Sequence, residues 1–154
     1  MDTREAYLFY EAGQAVAAAH LRLRIWRVSG NPTAAPTHIV IPRNNPKARL
    51  ILWLAGMAAE RKGAGHSHPL RRTRNRARVR SLLDATIDGL PGSRARRIAA
   101  RRVMLSRAQD RANALCNQLY PAIEAVAARL RTGETLTGPD IAAAVDAVKH
   151  PARR

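Results

Sequence analysis

The spacing of apolar positions along the chain predicts mostly helices. Near the N-terminus the apolar residues recur every three or four positions, which is the period of one helix face. This first stripe consists of Leu8, Ala12, Ala15 and Ala19. Asp2 stands before the stripe and Glu5 follows three residues later, a pattern typical of a capped helix start. We therefore expect a first helix that ends near Ala19.

Two short runs that follow have the character of strands. Leu23, Ile25 and Val28 are spaced and flanked by arginine like a half-exposed strand, and Gly30-Asn31-Pro32 interrupts it. The second run, Thr37–Pro42, is rich in β-branched residues. We expect these two runs to pair in a small sheet.

Helical periodicity returns after Pro46 and continues to the end of the chain. The predicted helices run from Pro46 to Gly63–Gly65, from Pro69 to Gly89, from Ser93 through a break at Pro121 to Gly133, and onward from Thr137. The predicted fold is mainly α (α+β), with a small β-sheet near the N-terminal third. We expect a single domain over residues 1–150 and a disordered basic tail over 151–154.

Composition agrees with one domain that has a real core. The chain has 154 residues, 46% of them hydrophobic, and it contains no apolar run long enough to span a membrane. Its only cysteine, Cys116, excludes an internal disulfide framework and fits a small core residue. We expect a cytoplasmic protein without a membrane partner.

Charge is the unusual property of this sequence, with a formal net charge of +16. Residues 61–111 carry fifteen basic and three acidic side chains, so most of the excess lies there. The densest cluster is Arg71, Arg72, Arg74, Arg76, Arg78 and Arg80. On a helix these arginines would leave Leu70, Thr73 and Ala77 as a narrow apolar strip.

Two interpretations of this cluster stay open. One is a nucleic-acid-binding surface that contacts phosphates without sequence preference. The other is a solvated helix face in an arginine-rich protein, since only Lys47, Lys62 and Lys149 are lysines. No aromatic residue lies between Trp53 and Tyr120, so the cluster offers no ring on which a base could stack.

Four segments resemble the peptidase domain of the FtsH-like zinc metallopeptidases. Tyr10–Val16 (YEAGQAV) is similar to the family's HEAGHAV helix, and Ile51–Glu60 (ILWLAGMAAE) to its LAG(R/P)AAE helix. Residues 122–127 and 136–141 are similar to the family's closing helices. There is no Walker motif, so the resemblance covers the peptidase domain and not the ATPase module of this bacterial-type family.

The resemblance implies a metal site from which the ligands have been lost. In the family two histidines and an acidic residue hold zinc, and a glutamate activates the bound water. Here Tyr10 and Gln14 stand at the histidine positions and Pro69 at the acidic one, while Glu11 keeps the place of the general base. A neutral phenol and a carboxamide are poor zinc ligands. We therefore expect no zinc or other cofactor, and an inactive pseudo-metallopeptidase that binds a protein or peptide as a scaffold module.

An active enzyme remains the further alternative. His66 and His68 could join Glu11 in a rearranged metal site of an ATP-independent metalloendopeptidase, although a turn beside an arginine cluster is an ordinary place for solvated histidines. We interpret His20 as a residue at a helix end and His38 as a strand surface residue. Glu60 is expected to pair with a nearby arginine. The sequence indicates neither a particular partner nor an oligomeric state.

Overall fold

The computed structural model describes residues 2–33 and 36–152, and within them it confirms a mainly helical fold with a small sheet. The elements in chain order are α1 (Thr3–His20), β1 (Arg24–Ser29), β2 (His38–Val40), α2 (Pro46–Ala64), α3 (Pro69–Asp88), α4 (Arg94–Gln118), α5 (Tyr120–Arg131), β3 (Thr135–Leu136) and α6 (Gly138–Lys149). Of the predicted tail, 151–154, the last two residues lie outside the described residues.

Local capping chemistry explains where α1, α4 and α6 begin. The Asp2 carboxylate accepts hydrogen bonds from the backbone N–H groups of Arg4 and Glu5. Ser93 accepts one from Arg96 N–H at the start of α4, and the Thr137 N–H donates to Asp140 Oδ2 over 2.8 Å at the start of α6. These contacts satisfy backbone donors that a helix start leaves free.

The sheet has the order β2-β1-β3, and both pairings are antiparallel. Ile25 lies opposite Ile39, which confirms the predicted pairing of the first two runs. A register shift between Ile25 and Arg27 turns Trp26 outward, where its ring stacks on that of His38 with centroids 6.1 Å apart. In the part of the chain that the structure describes, β2 pairs on one side only and is an edge strand.

The helices α1 and α2 pack closely because glycines face each other at their contact. A Cβ atom on Gly13 would lie 2.5 Å from the Ala59 Cβ and 2.9 Å from the Ala55 carbonyl oxygen. The backbones can therefore approach only if residue 13 has no side chain. This contact lies within the main hydrophobic core, to which α4, α5 and α6 add one face each.

The helix α3 is rotated relative to the sequence-based expectation. Leu70, Thr73 and Ala77, the predicted apolar strip, are all exposed. Its buried residues are Asn75, Val79, Leu83 and Ile87, spaced four apart. The prediction that this strip faces the core was wrong. The apolar second half of α3 packs on the core, and because the helix is continuous this packing also sets the rotation of its first half.

Within the described ranges, no helix is both long enough and apolar enough to cross a membrane.

Candidate functional site

Two of the residues singled out by the family resemblance, Tyr10 and Gln14, lie where α1 contacts α3. Tyr10 and Gln14 lie one turn apart on α1, and Gln14 Nε2 donates a hydrogen bond of 2.9 Å to the Tyr10 hydroxyl. That hydroxyl donates in turn to Asn75 Oδ1 on α3, at 3.3 Å. Three uncharged side chains from two helices thus form one connected hydrogen-bond network.

The backbone of α2 forms the base on which Tyr10 and Gln14 rest. A Cβ atom on Gly56 would lie 2.8 Å from Tyr10 Cε2 and 2.9 Å from Gln14 Cγ. Gly56 is therefore required for both side chains to keep their positions. The LAGMAAE segment and the YEAGQAV segment, far apart in sequence, form one site.

The Tyr10 hydroxyl is held in its neutral form. Burial raises the pKa of Tyr10 well above its usual range, and the nearby charge of Glu11 raises it further. A neutral phenol that already bonds two carboxamides is a poor donor for zinc, which prefers imidazole, thiolate and carboxylate ligands. The residues present at the three positions therefore do not fit a zinc ion.

Glu11 is buried beside this network and faces the sheet side of the site. Burial raises the pKa of Glu11, whereas hydrogen bonds from Thr37 and Tyr7 and the charge of Arg71 act in the opposite direction. Its Oε2 atom has no hydrogen-bond partner among the described residues. Thr37 directly precedes β2, so Glu11 lies next to this edge strand.

A buried ion pair connects α2 to the start of α3. Glu60 is fully buried, and its Oε1 accepts hydrogen bonds from Arg71 Nη1 at 2.6 Å and from the His68 backbone N–H at 3.0 Å. The predicted pairing of Glu60 with an arginine is confirmed. The Arg71 guanidinium also lies 5.1 Å from the ring centroid of Tyr7 and 5.4 Å from that of Tyr10.

Pro69, to which the family resemblance assigned the third ligand position, does not contact Tyr10 or Gln14 through a hydrogen bond within the described residues. Pro69 is the first residue of α3 and is exposed, whereas the residue of α3 that contacts Tyr10 is Asn75. Sequence reasoning missed Asn75, although one signal was present. Asn75 lies four residues before Val79 and eight before Leu83, so it shares their face of the helix. It is also uncharged, whereas most of its neighbours are arginines.

The candidates for a rearranged metal site are not assembled into one. Within residues 2–33 and 36–152, no three histidine, cysteine, aspartate or glutamate side chains lie close enough to hold a metal ion. His68 instead precedes α3 and contacts Glu60 through its backbone. The His66 ring is partly buried, and its Nε2 has no hydrogen-bond partner among those residues.

The remaining single candidates lie apart from the site. His20 is the last residue of α1, where burial and then the charges of Lys149 and Arg111 lower its pKa. His38 is exposed on β2, and Cys116 is buried in α4, where burial raises the pKa of the thiol. These positions agree with the interpretation of His20 as a residue at a helix end, of His38 as a strand surface residue and of Cys116 as a small core residue.

The arginine cluster of α3 divides into one inward residue and five outward ones. Arg71 is turned toward Glu60 and keeps only 19% of its side chain exposed. The exposed members are Arg72, Arg74, Arg76, Arg78 and Arg80.

Comparison with known proteins adds no relative to these observations. No model of a known protein family matches the sequence, and no curated protein matches it either. The likeness to FtsH-like peptidases therefore rests on the sequence segments quoted above.

Proposed function

We propose that this chain is a catalytically inactive, FtsH-peptidase-like protein that binds an extended peptide as a protein-binding or scaffold module. The observation that carries the proposal is the convergence of Tyr10, Gln14 and Asn75, three neutral side chains in one hydrogen-bond network. Two of them occupy the positions of the family's histidines. The network leaves Glu11 as a glutamate without a metal-bound water to activate.

The sheet supplies a surface for the peptide. The edge strand β2 lies next to Glu11 through Thr37, and an extended peptide can add to such an edge by backbone hydrogen bonds. A cavity of about 490 Å³ adjoins Tyr7 and Arg71. It offers space for a peptide side chain without any need for zinc.

Rebuilding the metal site tests the peptidase-like arrangement. The wild-type protein is expected to carry no stoichiometric zinc by atomic emission and to leave casein intact. The Tyr10→His/Gln14→His double variant should bind zinc weakly. Adding Asn75→Asp should give one zinc per chain, because Asn75 is the α3 residue that contacts Tyr10.

A matched control uses the position that sequence reasoning selected. Adding Pro69→Asp to the same double variant should not improve zinc binding, since Pro69 is exposed at the start of α3. One zinc per wild-type chain, or casein cleavage by it, would overturn the inactive assignment. The peptide function is tested by hydrogen exchange with a casein peptide, which should protect the amides of β2, and an absence of protection there would refute it.

A second candidate, nucleic-acid binding, is favoured by the five exposed arginines of α3. Their phosphate contacts would be independent of base sequence. The affinity for a duplex would then fall steeply with salt, with a log–log slope of about −0.9 for each phosphate neutralised.

A further inference from the structure

We propose that a cavity between α2, α3 and α4 binds a small phosphorylated ligand that also has an apolar or aromatic part. The cavity has a volume of about 350 Å³. Four arginines from three helices line it: Arg61 of α2, Arg76 and Arg80 of α3, and Arg101 of α4. It does not include the Tyr10 network and does not depend on the peptidase resemblance.

The positive charge of this cavity is largely uncompensated. In the described part of the chain, no carboxylate forms an ion pair with Arg61, Arg76 or Arg80. Arg101 uses its Nε atom to bind Asp84 Oδ1 at 3.0 Å, which leaves its terminal nitrogens for another acceptor. Like charges gathered at one opening repel each other, and a bound polyanion would turn that repulsion into attraction.

Arginine is also the side chain best suited to phosphate. Its planar guanidinium offers paired N–H donors that match two phosphate oxygens, and such charge-assisted bonds are stronger than neutral ones. Donors from three separate helices can surround a phosphate group from several sides. A single exposed row of arginines on one helix cannot do this.

The apolar walls of the cavity indicate the chemistry of the part of the ligand that is not phosphate. Apolar side chains from all three helices contribute, with Leu54 and Met57 from α2, Leu83 from α3 and Leu105 from α4. The volume lies within the range of small-molecule sites, roughly 300–1,000 Å³. A nucleoside polyphosphate has the matching chemistry, with an aromatic ring for the apolar wall and phosphates for the arginines.

The helix α3 allows two sets of arginines to be neutralised separately. Arg76 and Arg80 lie one turn apart on the side that faces the cavity. Arg74 and Arg78 are also one turn apart, but on the opposite side of the helix and outside the cavity lining. All four are exposed, so their replacement by glutamine should leave the fold intact.

The experiment is isothermal titration calorimetry of the full chain with ATP and with inorganic tripolyphosphate, both without magnesium, at physiological salt. Wild type is expected to bind one ATP per chain, more tightly than tripolyphosphate because adenine covers the apolar wall. Arg76→Gln/Arg80→Gln should weaken ATP binding by at least about tenfold. The control Arg74→Gln/Arg78→Gln, with the same change in net charge, should change it less than about twofold.

Three results would overturn the proposal. Equal losses from the two double variants would mean that only net charge matters. Equal affinities for ATP and tripolyphosphate would mean that the apolar wall does not contribute to ligand recognition. If a fluorescent duplex binds more tightly than ATP, and if this binding depends on Arg74 and Arg78, the arginines of α3 would be assigned to nucleic-acid binding instead.

Discussion

The helices α1 and α3 have similar lengths, but different interactions hold them against the rest of the protein. In α1 eleven of 18 residues are buried, and glycine and alanine positions fit it closely against α2. In α3 only four of 20 are buried, and one of those is the polar Asn75. Shape complementarity therefore holds α1, whereas a few specific contacts hold α3 and leave most of its surface available for binding.

The largest expected effect comes from removing the ion pair that anchors α3. Arg71→Ala would leave Glu60 fully buried without its cation, and such losses cost about 3–5 kcal/mol of unfolding free energy. Arg74→Ala, an exposed arginine of the same helix, should change it by less than about 0.5 kcal/mol. Urea denaturation measures both.

The double variant Arg71→Ala/Glu60→Gln sharpens this result. Because it leaves no buried charge, it should recover part of the stability lost in Arg71→Ala. If the two single arginine variants were equally stable, α3 would not depend on this anchor.

A smaller loss is expected where α1 meets α2. Gly56→Leu would overpack the space taken by Tyr10 and Gln14 and cost about 1–3 kcal/mol. Ala99→Leu adds comparable bulk at an exposed position of α4 and should be close to neutral. Thermal unfolding followed by circular dichroism compares them, and an unchanged melting temperature for Gly56→Leu would contradict the close contact.

The smallest effect is a pH dependence at Glu11. Burial raises its folded-state pKa above the unfolded value, so its contribution to stability is complete below the unfolded pKa and is lost as pH rises through the folded pKa. Glu11→Gln has no charge to bury. Relative to wild type it should therefore gain stability as pH rises from about 4, the ordinary carboxyl range, toward neutrality. Melting temperatures across that range measure the difference, and parallel curves would contradict it.

Helix ends were predictable because they depend on neighbouring residues. The caps at Asp2 and Ser93 and the stop at Gly65, which has a φ of 74°, are local features. The strand β3 was missed because two residues, Thr135–Leu136, are too few to form a pattern.

Long-range features could not be predicted in the same way. The rotation of α3 depends on how Val79 and Leu83 meet the core, and this rotation brings Asn75 to Tyr10. The contact of Gly13 with α2 is likewise long-range, since the residues that leave no room for a side chain there, Ala55 and Ala59, lie more than forty positions further along the chain. The cavity between α2, α3 and α4 had no sequence signal, since its arginines come from distant parts of the chain.

The outward turn of Trp26 has an optical consequence. The chain has two tryptophans, and Trp53 is partly buried in α2 whereas Trp26 is 55% exposed on the sheet. The Trp26 indole lies against the His38 ring of β2, the same edge strand to which a peptide would add. The protein thus contains its own fluorescent reporter, whose emission would change when the edge strand becomes covered, whereas partly buried Trp53 adds a contribution that a Trp26→Phe variant isolates.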